Sequence, residues 1–261
     1  MELELNGRVA LITAAAGGLG SAVAHALGNA GATLVLVDRE ELRVKEVARE
    51  LGERGIDVTN AIWDMSDHDG LDRLVDSVLA ERGQVDVLVN ITGGPPTTQA
   101  FGVDRRVWRD NFETMVQSVI GLTDSFLPGM MDRKWGRVIT STSSGVVTPI
   151  SGLTLSNTLR ASLVTWSKTL ASEVGERGVT SNIVVPGRIL TRRVQALDRA
   201  RAEQSDRAVE DVVAESTRSI ALRRYGSPRE FADLVTFLAS ERASYITGSA
   251  IRVDGGLIPS V

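Results

Sequence analysis

Short β-branched runs alternate with longer amphipathic segments along nearly the whole chain, and this alternation limits the fold more than any other feature. The runs RVALIT (8–13), TLVLVD (33–38), DVTNAIWD (57–64), VDVLVN (85–90), GRVITSTSS from residue 136, VTSNIVVPG (179–187) and SAIRVDGG (249–256) read as strands. Helical patterns separate them: SAVAHALGNAG, the charged EELRVKEVARELGERG, SDHDGLDRLVDSVLAERG with its opening capping residues, and two long helices at roughly 103–131 and 152–176. Strands joined through helices need right-handed crossovers, so they lie parallel in one sheet covered on both faces. The expectation is a doubly wound α/β fold with a seven-stranded parallel sheet flanked by helices. No Pro/Ser-rich linker, repeat or low-complexity tract interrupts the rhythm, so residues 1–261 read as a single domain.

Composition removes several functions. A hydrophobic content of 43% with 24% charged residues suits a soluble chain able to bury a large core. A formal charge of −4 without a Lys/Arg cluster gives no footprint for nucleic acid or a membrane surface. The absence of cysteine excludes disulfides, thiolate metal sites and cysteine nucleophiles. His25 and His68 are the only imidazoles, and His68 in SDHDG reads as a helix-entry residue, so no metal site is expected. The start, MELELNGRVALIT, lacks the apolar stretch of a signal peptide, and no run reaches membrane-span length. A cytoplasmic location is expected.

The first strand, TAAAGGLG and the helix after it form a unit of Rossmann type. It places Ala16, Gly18, Leu19 and Gly20 where backbone approaches a pyrophosphate at a helix N-terminus. Asp38 closes the second strand 18 residues after Gly20, where a carboxylate accepts from ribose hydroxyls and repels a 2′-phosphate, favouring NAD over NADP. Arg39 keeps NADP open, by stacking on adenine or pairing with a 2′-phosphate. The structural alternative for Asp38 is a turn residue capping the next helix. Asp64 and Met65, ending the third strand, are expected at the adenine, with Trp63 close by.

These features resemble the short-chain dehydrogenase/reductase family, and the resemblance covers nearly all of the chain. The family's T-G-x-x-x-G-x-G appears as Thr13 to Gly20 with Ala14 in place of the first Gly, and its Asn-Asn-Ala-Gly as Asn90-Ile91-Thr92-Gly93. YGSPREFADLVTFLASERASYITGSAIRVDGG is similar to the family's C-terminal third. The resemblance implies an NAD(P)-binding Rossmann domain with Asn90 and Gly93 at the cofactor. It places Pro186, Gly187, Ile189 and Thr191 around the nicotinamide carboxamide, and Asn111 as a water-relay residue. It also implies a homotetramer, or second a dimer, paired through the two long helices.

The resemblance aligns Ser143 with the family's substrate-binding Ser. Its proton-donating Tyr, 13 residues on, is Ser156, and its Lys, four further, is Arg160. The catalytic set expected is therefore Asn111, Ser143, Ser156 and Arg160, with Arg160 also at the cofactor. The i, i+4 spacing keeps Ser156 and Arg160 on one helix face. Arg160 retains a charge and donors to ribose, whereas an aliphatic hydroxyl is a far poorer acid than a phenol.

Three functions fit such a site. The leading one is an NAD(P)-dependent oxidoreductase acting on a carbonyl or hydroxyl small molecule (ketone, alcohol or 3-oxoacyl), with Tyr225 as an outside candidate for a relocated acid. The others are a non-redox, lyase-type enzyme using the hydroxyls and Arg160 as an anion cradle, and a dinucleotide binder without catalysis. The charged stretch 191–224, inserted after the sixth strand, reads as a helical substrate lid. Arg188, Arg192 and Arg193 hint at an anionic substrate, against a solvated lid face. Trp108, Trp135 and Trp166 read as core or interface residues.

Overall fold

In a computed structural model, which describes residues 3–260, the strands are β1 (Val9–Thr13), β2 (Thr33–Asp38), β3 (Val58–Ile62), β4 (Val87–Asn90), β5 (Gly136–Ser141), β6 (Val179–Pro186) and β7 (Ala250–Val253). They form one parallel sheet in the order β3-β2-β1-β4-β5-β6-β7. Every residue of β1, β4, β5 and β6 is buried, because helices cover both faces and a strand between them has no polar side. The edge strands β3 and β7 are only partly covered.

One face carries α1 (Gly18–Asn29), α2 (Glu41–Glu53) and α9 (Pro228–Ala239), packed through Val23, Leu27, Val44, Leu51, Phe231 and Val235. The other carries α3 (Gly70–Arg82), α5 (Ser118–Asp132) and α6 (Thr154–Val174), packed through Leu74, Val78, Leu122, Phe126, Leu170 and Val174. Ser227 and Glu230 close a capping box at the start of α9, with Pro228 in the first turn.

Two sequence expectations change in detail. The helix read over 103–131 is α4 (Arg105–Phe112), a π turn over Glu113–Gln117, and α5. Around that turn Thr114 donates its hydroxyl to Asp110 O and Ser118 to Thr114 O, side-chain bonds that compete with the regular ladder. The stretch 191–224 holds two helices, α7 (Arg192–Ser205) and α8 (Val209–Arg218).

Trp135 stands between two guanidinium groups, with Arg8 Cζ at 3.7 Å and Arg137 Cζ at 4.3 Å from its ring centroid. It therefore pins the start of β5 rather than a ligand.

Candidate functional site

The chain reverses its direction of winding between β1 and β4, and their carboxyl ends open a crevice there, as open α/β sheets do. The Thr13 hydroxyl locks the two ends together, donating to Ile91 O and accepting from Ile91 N, each at 2.8 Å. The turn after β1 bends at Ala14, whose φ of 49° is a left-handed backbone that costs a non-glycine residue about 1 kcal/mol. This is the position where the motif prefers Gly. The turn is closed by Gly17 N donating to Ala14 O. α1 then begins with no side-chain cap hydrogen bond at Gly17, which leaves its first N–H groups without a side-chain acceptor. A Cβ on Gly18 would lie 3.0 Å from Thr191 Cγ2, so Thr191, the N-cap of α7, sits directly on the α1 N-terminus.

The crevice has a volume of about 370 Å³ and runs from Asp38, Arg39, Trp63, Asp64 and Met65 past Thr13 and Ala14 to Gly93, Gly94, Asn111 and Met115. Asp38 is buried and committed to backbone: Oδ2 accepts from Ala16 N at 2.9 Å and Oδ1 from Glu40 N at 3.0 Å. Asp38 lines the crevice and also ties the start of α2 to the Gly-rich turn. It follows that the Ala16 N–H, expected at the pyrophosphate, is already taken. Burial acts to raise the Asp64 carboxyl, but two hydrogen bonds from Ser66 and the nearby Arg39 outweigh it and hold the pKa low. Arg39 is loosely held, at 3.5 Å from Asp64 and 3.7 Å from Glu40.

At the other end, Gly93 has nothing within 4 Å of where a Cβ would stand, so its backbone opens onto free space. Asn90, three residues earlier and expected at the cofactor, is fully buried. Its Nδ2 donates to Thr123 and Thr140 hydroxyls at 3.3 and 3.4 Å, behind the crevice wall. Asn111 lines the crevice, but its amide donates to Val107 O at 2.8 Å within its own helix, away from the expected relay. Pro186 ends β6, and Gly187 is required by packing, because a Cβ there would meet Asp254 Cα at 2.6 Å. Ile189 is buried and bridges to Gly226.

Ser143 closes the turn after β5, accepting from Gly145 N at 3.2 Å. Ser156 and Arg160 lie one helical turn apart on α6, both buried. The Ser156 hydroxyl makes no hydrogen bond among the described residues. Arg160 donates to Ser141 O at 3.2 Å, Thr92 O at 3.4 Å and Gly93 O at 3.0 Å, tying the ends of β4 and β5 together. Burial, then the nearby Arg193, pull its pKa down to about 10. Thr114, Met115 and the Thr92 hydroxyl are additions for which the sequence carries no signal, because the π turn that presents Thr114 and Met115 has no residue signature.

One buried carboxylate ties the expected lid to its flanking segments. Asp198 of α7 accepts from Arg188 Nη1 at 3.0 Å and from the Tyr225 hydroxyl at 2.8 Å. Tyr225 is therefore engaged by the lid: burial first, then the Asp198 carboxylate, raise its pKa, and the Ser216 hydroxyl and Arg188 only partly oppose them. Arg188 is likewise spent on Asp198. Asp198→Asn removes the charge without changing volume, and is expected to weaken this latch by about 1–2 kcal/mol. Hydrogen exchange should then speed up in α7 and α8 by about ten-fold while sheet amides stay unchanged. Uniform acceleration would assign Asp198 to global stability instead.

The family description Enoyl-(Acyl carrier protein) reductase matches residues 14–258. The 3-oxoacyl-(acyl-carrier-protein) reductase FabG of Salmonella typhimurium is 32% identical over 255 residues, 98% of this chain and 99% of that protein. Dehydrogenase/reductase SDR family member 4 of Oryctolagus cuniculus is 32% identical over 253 residues, 97% of this chain and 94% of that protein. Among solved structures, the L-sorbose reductase of Gluconobacter frateurii complexed with NADPH and L-sorbose has a TM-score of 0.95 at 32% identity, over 100% of both chains. The chain belongs to the short-chain dehydrogenase/reductase family. Within this dehydrogenase/reductase, the crevice carries no phenol: both tyrosines, 225 and 245, lie in the last fifth of the sequence, and neither lines it.

Proposed function

We propose that the protein is a nicotinamide-dinucleotide-dependent oxidoreductase acting on the carbonyl or hydroxyl group of a small molecule, with a Ser143–Ser156–Arg160 site in place of a phenolic acid. The observation that carries this reading is the crevice at the switch point, lined by Thr13 and Ala14 of the turn that leads into the uncapped α1 and by open backbone at Gly93. These residues fit a dinucleotide: free N–H groups face a pyrophosphate, Asp38, Arg39 and Asp64 flank a ribose, and Thr191 closes over the middle. When bound, the dinucleotide supplies the hydride chemistry.

The chain's own residues hold and polarise. Arg160, kept charged at neutral pH, sets a positive field beneath the turn carrying Thr92 and Gly93, which favours negative charge developing on a substrate oxygen. Ser143 and the unpartnered Ser156 hydroxyl orient that oxygen. Neither is a strong acid, so proton delivery runs through solvent, and turnover is slow for a member of this family. The insertion 191–224 acts as the lid, within a single domain. A homotetramer is the proposed assembly, with the exposed Phe112 of α4 supporting helix-mediated pairing.

For the cofactor, the proposal is NAD, supported by the two carboxylates Asp38 and Asp64 against the loosely held Arg39. Calorimetry without substrate tests both parts. NADH is expected to bind about ten-fold tighter than NADPH, the scale of one screened like-charge contact. Asp38→Asn should remove that preference. Heat from neither nucleotide would sink the redox reading, and tighter NADPH binding would assign Arg39 to the 2′-phosphate.

A further inference from the structure

We infer that the substrate carries an anionic group, a carboxylate, bound between Arg160 on the sheet side and Arg193 on the lid; the inference deepens the oxidoreductase reading and rests on it for the rest of the substrate. Arg160 is buried, and no carboxylate lies within ion-pair distance among the described residues. Its acceptors are three neutral carbonyls, which leave Nε–H and one Nη1–H without a protein partner. A cation held this way lacks the counter-charge that buried ions normally have.

Arg193 supplies the second positive group. It projects from the first turn of α7 to the opposite wall, where its Nη2 donates to Pro95 O at 3.3 Å. Its guanidinium lies flat on Gly94, so close that a Cβ there would stand 2.1 Å from Cζ. It too has no acidic partner among the described residues, and its field reaches Arg160. Of the three arginines the sequence offered as anion ligands, Arg188 is neutralised by Asp198; Arg192 and Arg193 are both exposed, and of these two Arg193 is the one bonded across to Pro95 O.

A third group points the same way. Thr92 is nine-tenths buried, its hydroxyl has no partner, and its carbonyl is one of those bonded by Arg160. A free hydroxyl donor on the residue whose carbonyl Arg160 holds, two positions before the Gly94 covered by Arg193, matches a planar oxyanion able to accept from several directions. The stretch Asn90–Val103, which walls this end, contains no acidic residue to compete.

Two sources share this anion chemistry, a substrate carboxylate and the pyrophosphate of the dinucleotide, and the test separates them. Wild type, Arg193→Met and Thr92→Val are titrated calorimetrically with a panel of short oxo acids and their methyl esters, with and without NADH. At least one acid is expected to bind ten-fold or more tightly than its ester, and Arg193→Met should erase that ratio. Thr92→Val should reduce it several-fold. Equal binding of every acid and ester overturns the inference. So does an Arg193→Met protein whose main loss is NADH affinity, since the anion is then the pyrophosphate. If NADH fails to bind while the acid-over-ester ratio persists and depends on Arg193, the anion site stands and the redox reading falls.

Discussion

Gly20→Ala is expected to destabilise the protein by about 3 kcal/mol, the upper range for overpacking, and to lower Tm by about 6–12 °C. The reason is backbone against backbone. A Cβ on Gly20 would lie 2.2 Å from Ala14 O and 2.8 Å from Ala15 Cα, and neither atom is the end of a flexible side chain. Relief requires the first turn of α1 to move away from the bend at Ala14, which already holds an unfavourable φ. That movement also misaims the N–H groups facing the crevice, so dinucleotide binding should be lost together with stability. Gly93→Ala is the matched contrast. Its Cβ meets nothing within 4 Å, so stability should change by no more than the ~0.5 kcal/mol typical of a surface substitution, about 1–2 °C in Tm. The added methyl nevertheless enters the crevice, and dinucleotide affinity should fall. Thermal denaturation and calorimetry on both variants check the pair; equal Tm values would mean that the Gly-rich turn adapts freely.

The same residues show how much the sequence discloses. The parallel sheet was legible because β1 and β4 open on near-continuous apolar runs separated by helical patterns, although β5 and β6, buried throughout, also carry polar residues such as Arg137, Ser181 and Asn182. Gly18 and Gly20 were legible because close backbone approach leaves glycine as its mark. A motif is linear while a strand alternates: Asn90 donates its amide to Thr123 of α5, whereas Gly93 of the same motif lines the crevice. Asn111 was assigned by position along a helix, yet its amide is turned back on Val107 O. Tyr225 invited a catalytic role because nothing in the sequence marks Asp198, 27 residues earlier, as its partner. Pairing across such separations is set by how the lid folds back, and composition carries no trace of it.

Ser156→Tyr should raise carbonyl reduction at least about 100-fold, because a positioned general acid contributes about 10²–10⁴ in rate. The wild-type hydroxyl cannot fill that role: an aliphatic alcohol stays far from proton transfer at neutral pH, whereas a phenol titrates near 10. Arg160, one turn along α6, places a cation beside the new ring and draws its pKa down. The sign with pH follows. A general acid for reduction works protonated, so the Ser156→Tyr rate should be flat at low pH and fall as pH rises through the lowered phenol value. The wild-type rate should show no such limb below the Arg160 value of about 10. Adding Arg160→Lys tests a different property. Lysine cannot reproduce the planar fork that reaches Ser141, Thr92 and Gly93 carbonyls together, so the double variant should lose about 1–3 kcal/mol of stability. Its rate should nevertheless stay above wild type. Steady-state rates against pH with a carbonyl panel decide the matter. A Ser156→Tyr protein that binds dinucleotide but gains no activity would show that the reacting oxygen lies out of reach of position 156, and the Ser143–Ser156–Arg160 assignment would fall with it.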